Sequence, residues 1–131
     1  MKLISLKFKK ESMKHFSFEK LTVWQKSRKL SVSIYEVTKS FPDDERFGLI
    51  SQMRRCAISI SSNIAEGSGR HSGKDKARFT EIAFSSALEL LNQVIIANDL
   101  QFISNKNQDV LRDSISEITA MLNSLHKSQL K

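Results

Sequence analysis

Apolar residues recur at intervals of three and four positions along four segments of the chain, 21–40, 45–66, 74–102 and 107–127. This spacing places them on one side of an α-helix, whereas a half-buried β-strand alternates at every second residue. The connections between the segments are short, which favours antiparallel neighbours. We therefore expect an all-α protein, an antiparallel up-and-down four-helix bundle.

The residues at the helix ends support these boundaries. Asp43 or Asp44 is suited to cap the second helix, because a carboxylate accepts hydrogen bonds from the free N–H groups of a first turn. Gly67 is expected to end that helix in the left-handed conformation, which glycine adopts at low cost. Ser104 or Asn105 is expected to cap the fourth helix.

The third segment is apolar over a broader arc than the others. Ile82, Leu91, Ile95 and Phe102 lie beside its main apolar stripe. A helix with such an arc is typically covered on more than one side. We therefore expect the bundle to be a subunit of a larger assembly.

Basic residues outnumber acidic ones, and much of the excess lies near the N-terminus. The 131 residues include 21 Lys and Arg against 14 Asp and Glu, a formal net charge of +7. Residues 1–14 contain five lysines and one glutamate, so they carry +4 and the remaining chain +3. We divide the chain into a basic leader or arm, 1–18, and a bundle domain, 19–131. Met13 offers an alternative start, so the leader is either a flexible arm or a stretch that the domain does not need.

The cysteine content and the N-terminal pattern bear on the compartment. A single cysteine, Cys56, excludes an internal disulfide and fits a reducing environment. Lys7, Lys9 and Lys10 interrupt the apolar run that a signal peptide needs. No apolar stretch approaches the roughly 20 residues of a membrane span. We expect a cytoplasmic protein that does not associate with membranes.

The residue patterns typical of catalysis are missing from the sequence. His15, His71 and His126 have no metal-ligating partner at helical spacing, so no metal site is predicted. The segment 67–70 lacks the preceding strand and the Gly-Lys-Ser/Thr ending of a phosphate loop. Cys56 falls on an apolar stripe and is interpreted as a buried structural thiol. We expect neither enzyme activity nor a cofactor.

A polar cluster closes the second segment. Asn63 and Glu66 share a helix face, and Gly67 follows them. Because Glu66 lies where the helix dipole disfavours a carboxylate, we expect Arg70 or Lys74 to pair with it. The cluster is interpreted either as a polar network that fixes the turn or as a contact for a ligand or partner.

Two arginines and a glutamate suggest a link between the second and third helices. If the two helices fold back around the turn, position 55 lies level with positions 86–89. An ion pair between Arg55 and Glu89 is therefore expected, with an orienting role, since buried ion pairs contribute little to stability.

The first segment carries a local basic excess. Lys26 and Lys29 are three residues apart and can present one stripe, with Arg28 and Trp24 nearby. Such a stripe is either an ordinary solvated helix face or a surface that binds a phosphate backbone.

Several segments occur together in a characteristic order. They are 21–26 (LTVWQK), 41–49 (FPDDERFGL), 52–55 (QMRR) and 63–70 (NIAEGSGR). Over about 18–102 the chain resembles the four-helix bundle protein family whose founding members are encoded by intervening sequences within bacterial 23S rRNA genes. The resemblance implies a ring-like homopentamer without known catalysis. A similar protein, the accessory subunit of diversity-generating retroelements, binds a reverse transcriptase and nucleic acid through a basic surface.

The resemblance and the charge pattern lead to one main hypothesis and one alternative. The main hypothesis is a non-enzymatic homo-oligomeric adaptor with weak, salt-dependent binding of RNA or DNA. The alternative is a protein–protein interaction module without nucleic-acid affinity. The structural polar motif comprises Asn63, Glu66, Gly67 and Glu89. The nucleic-acid-binding surface is hypothesised on Lys26, Arg28, Lys29, Arg54, Arg55 and Arg70.

Overall fold

A computed structural model describes residues 14–131, and this part of the chain is helical without β-strands. A short 3-10 turn, Ser17–Lys20, precedes the first helix. The four α-helices are α1 (Thr22–Thr38), α2 (Ser51–Ser68), α3 (Gly73–Asp99) and α4 (Asn105–Gln129). The predicted four-helix architecture is confirmed. Three of the helices begin and end within three residues of the predicted boundaries, and α2 begins six residues late.

Each helix packs against its neighbours in the chain, and α1 also contacts α4, so that the bundle closes. Two polar contacts show that α2 and α3 are antiparallel. The Ser59 hydroxyl meets the Ser86 hydroxyl, and one turn away along both helices Cys56 contacts Glu89. The predicted up-and-down arrangement therefore follows from short connections between helices that each bury one apolar stripe.

The predicted apolar stripes form a single core. Burying a large aliphatic side chain of this kind stabilises the fold by about 1.5–3 kcal/mol. Within the described residues, the large side chains that are at most 2% exposed include Leu30, Ile34, Met53, Ile60, Leu90, Val94, Leu111, Ile115, Ile118 and Leu122.

The chain enters α2 differently from the prediction. Asp43–Glu45 forms a 3-10 turn, Arg46–Ile50 forms a wide turn with π-type hydrogen bonding, and the α-helix begins only at Ser51. Gly48 interrupts the helix, with φ −107° and ψ −110°. Neither predicted aspartate caps this turn, since the Glu45 carboxylate accepts the hydrogen bond from the Leu49 N–H.

Gly67 is not the left-handed cap that the sequence predicts. It lies inside α2, which continues to Ser68, and Gly69 follows with φ −87°. A Cβ atom on Gly67 would lie 2.9 Å from Cβ of Phe79, so the glycine lets α2 and α3 approach closely. The predicted cap of α4 is confirmed for Ser104, whose hydroxyl accepts the Asn107 N–H at 3.1 Å.

The wide apolar arc of α3 is explained in part within the bundle, since this helix packs on both α2 and α4, while Ile82 of that arc stays 41% exposed. By length and composition alone, α3 is the one helix in residues 14–131 that could cross a membrane, with a mean hydropathy of 1.2. This is weak evidence for a membrane span, because a core helix meets the same criteria of length and composition. A core helix that serves two interfaces needs apolar residues over much of its circumference.

The predicted basic leader, residues 1–18, lies largely outside the described residues. Its last part is described and packs at the start of α1, where the Phe18 ring meets the Trp24 ring edge-on at 5.0 Å. The Phe16 N–H donates to the Glu19 carboxylate at 2.8 Å, which closes the short turn before α1.

Candidate nucleic-acid interface

A groove of about 460 Å³ lies where α1, the turn Arg46–Ile50 and α2 meet. Three arginines, four large apolar or aromatic side chains and one serine line it, and we call it the arginine groove. The eight residues are Tyr35, Arg46, Phe47, Ile50, Ser51, Arg54, Arg55 and Ile58.

Arg54 is the fixed member of the arginine groove. Its guanidinium stacks 4.4 Å from the centre of the Tyr35 ring. Its Nε donates to the Thr38 hydroxyl at 2.9 Å, and its Nη2 donates to the Tyr35 carbonyl at 3.3 Å. These contacts tie α2 to the end of α1 while leaving a positive charge at the groove.

Arg46 and Arg55 are exposed members of the same groove. Within residues 14–131, neither forms an ion pair with a carboxylate. The acidic residues Asp43 and Asp44 precede the turn but do not line the groove. Two guanidinium groups are therefore presented to solvent with their hydrogen-bond donors available to an anion.

A second basic site lies closer to the N-terminal end of α1. The Arg28 guanidinium lies 5.4 Å from the centre of the Trp24 ring, and Lys29 lines the same depression of about 500 Å³. Arg28 and Tyr35 are seven residues apart, so they share one side of α1 at a separation of about 10 Å along its axis. We call Arg28, Lys29, Arg46, Arg54 and Arg55 together the basic face.

Two of the six residues predicted to bind nucleic acid lie elsewhere. Lys26 forms an ion pair with Glu117 of α4, which offsets its charge. Arg70 stacks 4.5 Å from the centre of the Phe79 ring, at the opposite end of α2 from the arginine groove. Lys26 and Lys29 therefore do not form the predicted basic stripe. Lys26 extends towards α4, whereas Lys29 lies in the depression beside Arg28.

The polar motif at the end of α2 is partly a network between helices. The Asn63 amide donates to the Ser59 carbonyl at 2.8 Å and to its hydroxyl at 3.1 Å. The Ser59 hydroxyl in turn meets the Ser86 hydroxyl of α3 at 2.8 Å. Glu66 behaves differently: within residues 14–131 it forms an ion pair with neither predicted partner, Arg70 or Lys74, and Arg70 stacks on an aromatic ring instead.

The predicted ion pair between Arg55 and Glu89 is wrong. The Glu89 carboxylate accepts a hydrogen bond from the Cys56 thiol. The predicted level along the helices was correct, but Cys56, one residue further on, faces α3, while Arg55 is turned about 100° away. Cys56 is only 6% exposed, which confirms a buried thiol. Burial, with the hydrogen bond to Glu89 second, raises its pKa to about 12.

No group of three or more His, Cys, Asp or Glu side chains within residues 14–131 is arranged to hold a metal ion. At the basic face the side chains are cationic, with aromatic rings beside them. Such groups bind phosphates by charge and hydrogen bonding, and planar bases by stacking.

Comparison with known proteins bears on this arrangement. Residues 19–124 match the family described as the 23S rRNA-intervening sequence protein. The chain belongs to this family. A search of curated proteins found no match.

A solved structure shares the fold of this family member. It is a protein of unknown function from the S23 ribosomal protein family of Bacteroides thetaiotaomicron, with a TM-score of 0.73 and 24% sequence identity. The similarity covers 81% of the present chain and 99% of the other. At this identity the likeness bears on the fold alone.

Sequence reasoning missed Arg46, Phe47 and Tyr35 as members of the arginine groove. It assigned 45–66 to one continuous helix, in which Arg46 and Phe47 would be ordinary surface positions. Gly48 directly after an aromatic residue was the available signal, because a glycine inside a helical pattern marks a possible interruption. Tyr35 carried no such signal, since its role depends on the position of Arg54.

Proposed function

We propose that this protein is a non-enzymatic, cytoplasmic, homo-oligomeric binding protein that attaches to RNA or DNA through the basic face. The binding is weak and salt-dependent, because it depends on a small number of phosphate contacts. The observation that carries the proposal is the arginine groove, where Arg46, Arg54 and Arg55 line one surface between α1 and the start of α2.

The composition of the basic face supports a polyanion as its ligand. Arg46 and Arg55 keep their guanidinium donors exposed, and Arg54 is held in place by Tyr35 and Thr38. Phosphate groups along a nucleic acid release condensed counterions when such cations neutralise them, which makes association favourable at low salt. The interleaved aromatic rings are a second feature of surfaces that bind nucleic acids.

Exposed apolar residues on α3 support oligomerisation. Ile82, Leu88 and Ile96 are 41%, 49% and 42% exposed, although α3 packs on two helices. Covering them against another copy would remove apolar surface from water. A closed ring, which the family resemblance implies to be a pentamer, would repeat the basic face around one axis and strengthen the local positive potential.

Salt titration of nucleic-acid binding tests the main proposal. We would measure the Kd for a fluorescent 20-nucleotide single-stranded RNA by anisotropy at several KCl concentrations. Replacing Arg28→Gln together with Arg55→Gln removes two phosphate contacts, so the slope of log K against log salt should fall by about 1.4 in magnitude.

The matched control makes the same change in charge elsewhere on the bundle. Lys106→Gln with Lys127→Gln alters two exposed residues of α4 and should leave the slope unchanged. An absence of binding at low salt, or equal effects of the two double variants, would overturn the proposal.

Light scattering tests the oligomer separately. The chain has a mass of 14.9 kDa, and the proposal requires a multiple of it at micromolar concentration. A monomer under these conditions would contradict the homo-oligomer.

The second candidate function is a protein–protein interaction module without nucleic-acid affinity. The exposed apolar side chains of α3 favour it, since they suit a protein partner as well as another copy of the chain. Affinity purification from the native host with and without nuclease distinguishes the two functions. A protein partner retained after nuclease treatment, with no RNA binding at low salt, would favour the second.

A further inference from the structure

We propose that the basic face binds single-stranded rather than double-stranded nucleic acid, with an unpaired base stacked on Phe47 and its flanking phosphates on Arg46 and Arg55. This inference rests on the proposed function and names the form of its ligand. It follows from the position of one aromatic ring.

Phe47 is the most exposed large apolar side chain among residues 14–131, at 90% exposure. Within this part of the chain its ring is stacked on no other aromatic ring and takes no part in a cation–π contact. Both faces of the ring are therefore open to a planar ligand.

The backbone that carries this ring is held in a defined place. Phe47 lies in the turn Arg46–Ile50, where Gly48 departs from helical geometry. The Glu45 carboxylate ties the turn by accepting the Leu49 N–H, and the chain then continues directly into α2. A ring on a tied turn loses less conformational freedom on binding than a ring on a free loop.

The charges around the ring identify the ligand. Arg46, Arg54 and Arg55 line the same groove as Phe47. An apolar protein segment placed on the ring would have to desolvate these guanidinium groups without an anionic partner, which is costly. A nucleotide satisfies both features, because its base stacks on the ring while the adjoining phosphates pair with the arginines.

The interior of a duplex can use the ring in this way only if neighbouring base pairs are first unstacked, which costs a few kcal/mol per step. Its bases are already stacked within the helix and present only their edges in the grooves, so a protruding side chain gains a stacking partner only where bases are unpaired. The arginines can bind either form, since both carry phosphates. The ring therefore determines the preference for a single strand, and the cations determine the salt dependence.

Phe47→Ala and Phe47→Trp, tested against two probes, examine this inference. The probes are a 20-nucleotide single-stranded RNA and a blunt RNA duplex of the same sequence, at one low salt concentration. We expect the wild type to bind the single strand more tightly. Phe47→Ala should weaken single-strand binding about fivefold or more, from the stacking contribution of one base. Phe47→Trp should preserve it.

Duplex binding should not change in Phe47→Ala, and neither should the slope of log K against log salt when its single-strand binding is titrated with KCl, because no phosphate contact is removed. Val110→Ala, which shortens another exposed apolar side chain, on α4, is the matched control and should leave both affinities unchanged.

Several results would overturn the inference. Equal wild-type affinities for the two probes, or unchanged single-strand binding in Phe47→Ala, would reject it. The salt-dependent loss in the Arg28 and Arg55 double variant would then still support the proposed function. A decrease in oligomer mass in Phe47→Ala would instead assign the ring to an interface between copies. If the wild type bound neither probe, the proposed function itself would fail.

Discussion

Replacing Arg54 with alanine should lower the stability of the bundle, whereas the same change at the adjacent Arg55 should not. Arg54→Ala removes the hydrogen bond to the Thr38 hydroxyl at 2.9 Å and a longer one to the Tyr35 carbonyl at 3.3 Å. Each contributes about 0.5–1.5 kcal/mol, with the longer bond at the lower end. The lost stacking on Tyr35 adds about 0.5–1 kcal/mol.

Two effects limit this loss. The Thr38 hydroxyl keeps its hydrogen bond to the Ile34 carbonyl at 2.7 Å, so no buried donor is left without a partner. The alanine variant also avoids the entropy cost of ordering a long side chain, about 1–2 kcal/mol if the side chain is fully fixed. Because Arg54 is only half-buried, we expect a net decrease in unfolding free energy of about 1–2 kcal/mol.

Urea unfolding followed by far-UV circular dichroism measures this difference, at one protein concentration for all variants. With an m-value of about 2 kcal/mol/M, the midpoint should fall by roughly 0.5–1 M. Arg55→Ala makes the same change in charge at an exposed residue and should stay within about 0.5 kcal/mol of the wild type. Equal losses in the two variants would refute the structural role assigned to Arg54.

The remaining predictions concern the contact between α2 and α3. Gly67→Ala should destabilise the protein in the same assay, because its methyl group would lie 2.9 Å from Cβ of Phe79. Overpacking of this kind costs about 1–3 kcal/mol, against a gain in helix propensity of up to about 1 kcal/mol. Gly69→Ala is the control, since its Cβ would meet only an ordinary contact at 3.6 Å, and a Gly67→Ala variant more stable than this control would contradict the close packing. Because the pKa of Cys56 is raised to about 12, its alkylation by iodoacetamide at pH 8 should be about a thousandfold slower than in the unfolded chain. The same shift predicts that the unfolding free energy declines as the pH rises from 9.0 towards about 12, since the folded state holds this proton more tightly. Glu89→Gln should speed the alkylation by removing the carboxylate charge, and an unchanged rate would argue against its contribution.

Much of the fold can be predicted from the sequence, because helical periodicity is a local property. The core stripes that include Leu30, Ile60, Leu90 and Ile118 follow from spacing of three and four residues, and all four side chains are at most 2% exposed. The failure at the start of α2 was also local. Periodicity alone continues a helix through Gly48, and it cannot tell whether a glycine there keeps helical dihedral angles.

The candidate site was predicted less completely. Arg28, Lys29, Arg54 and Arg55 were expected at a basic surface, and these four belong to the basic face. Lys26 was expected there as well, but its position opposite Glu117 depends on where α4 packs against α1.

The sequence by itself determined the helices, their order and the sides that face the core, since these depend on residues only a few positions apart. Tertiary structure alone decided which side chains meet between helices. The rotation of each helix about its own axis is set by packing along its whole length. This rotation brings Cys56 rather than Arg55 to Glu89. Gly67 serves close helix contact rather than a cap for the same reason. The arginine groove likewise needs tertiary contact, because residues 46–58 supply most of its lining but only packing places Tyr35 of α1 against them.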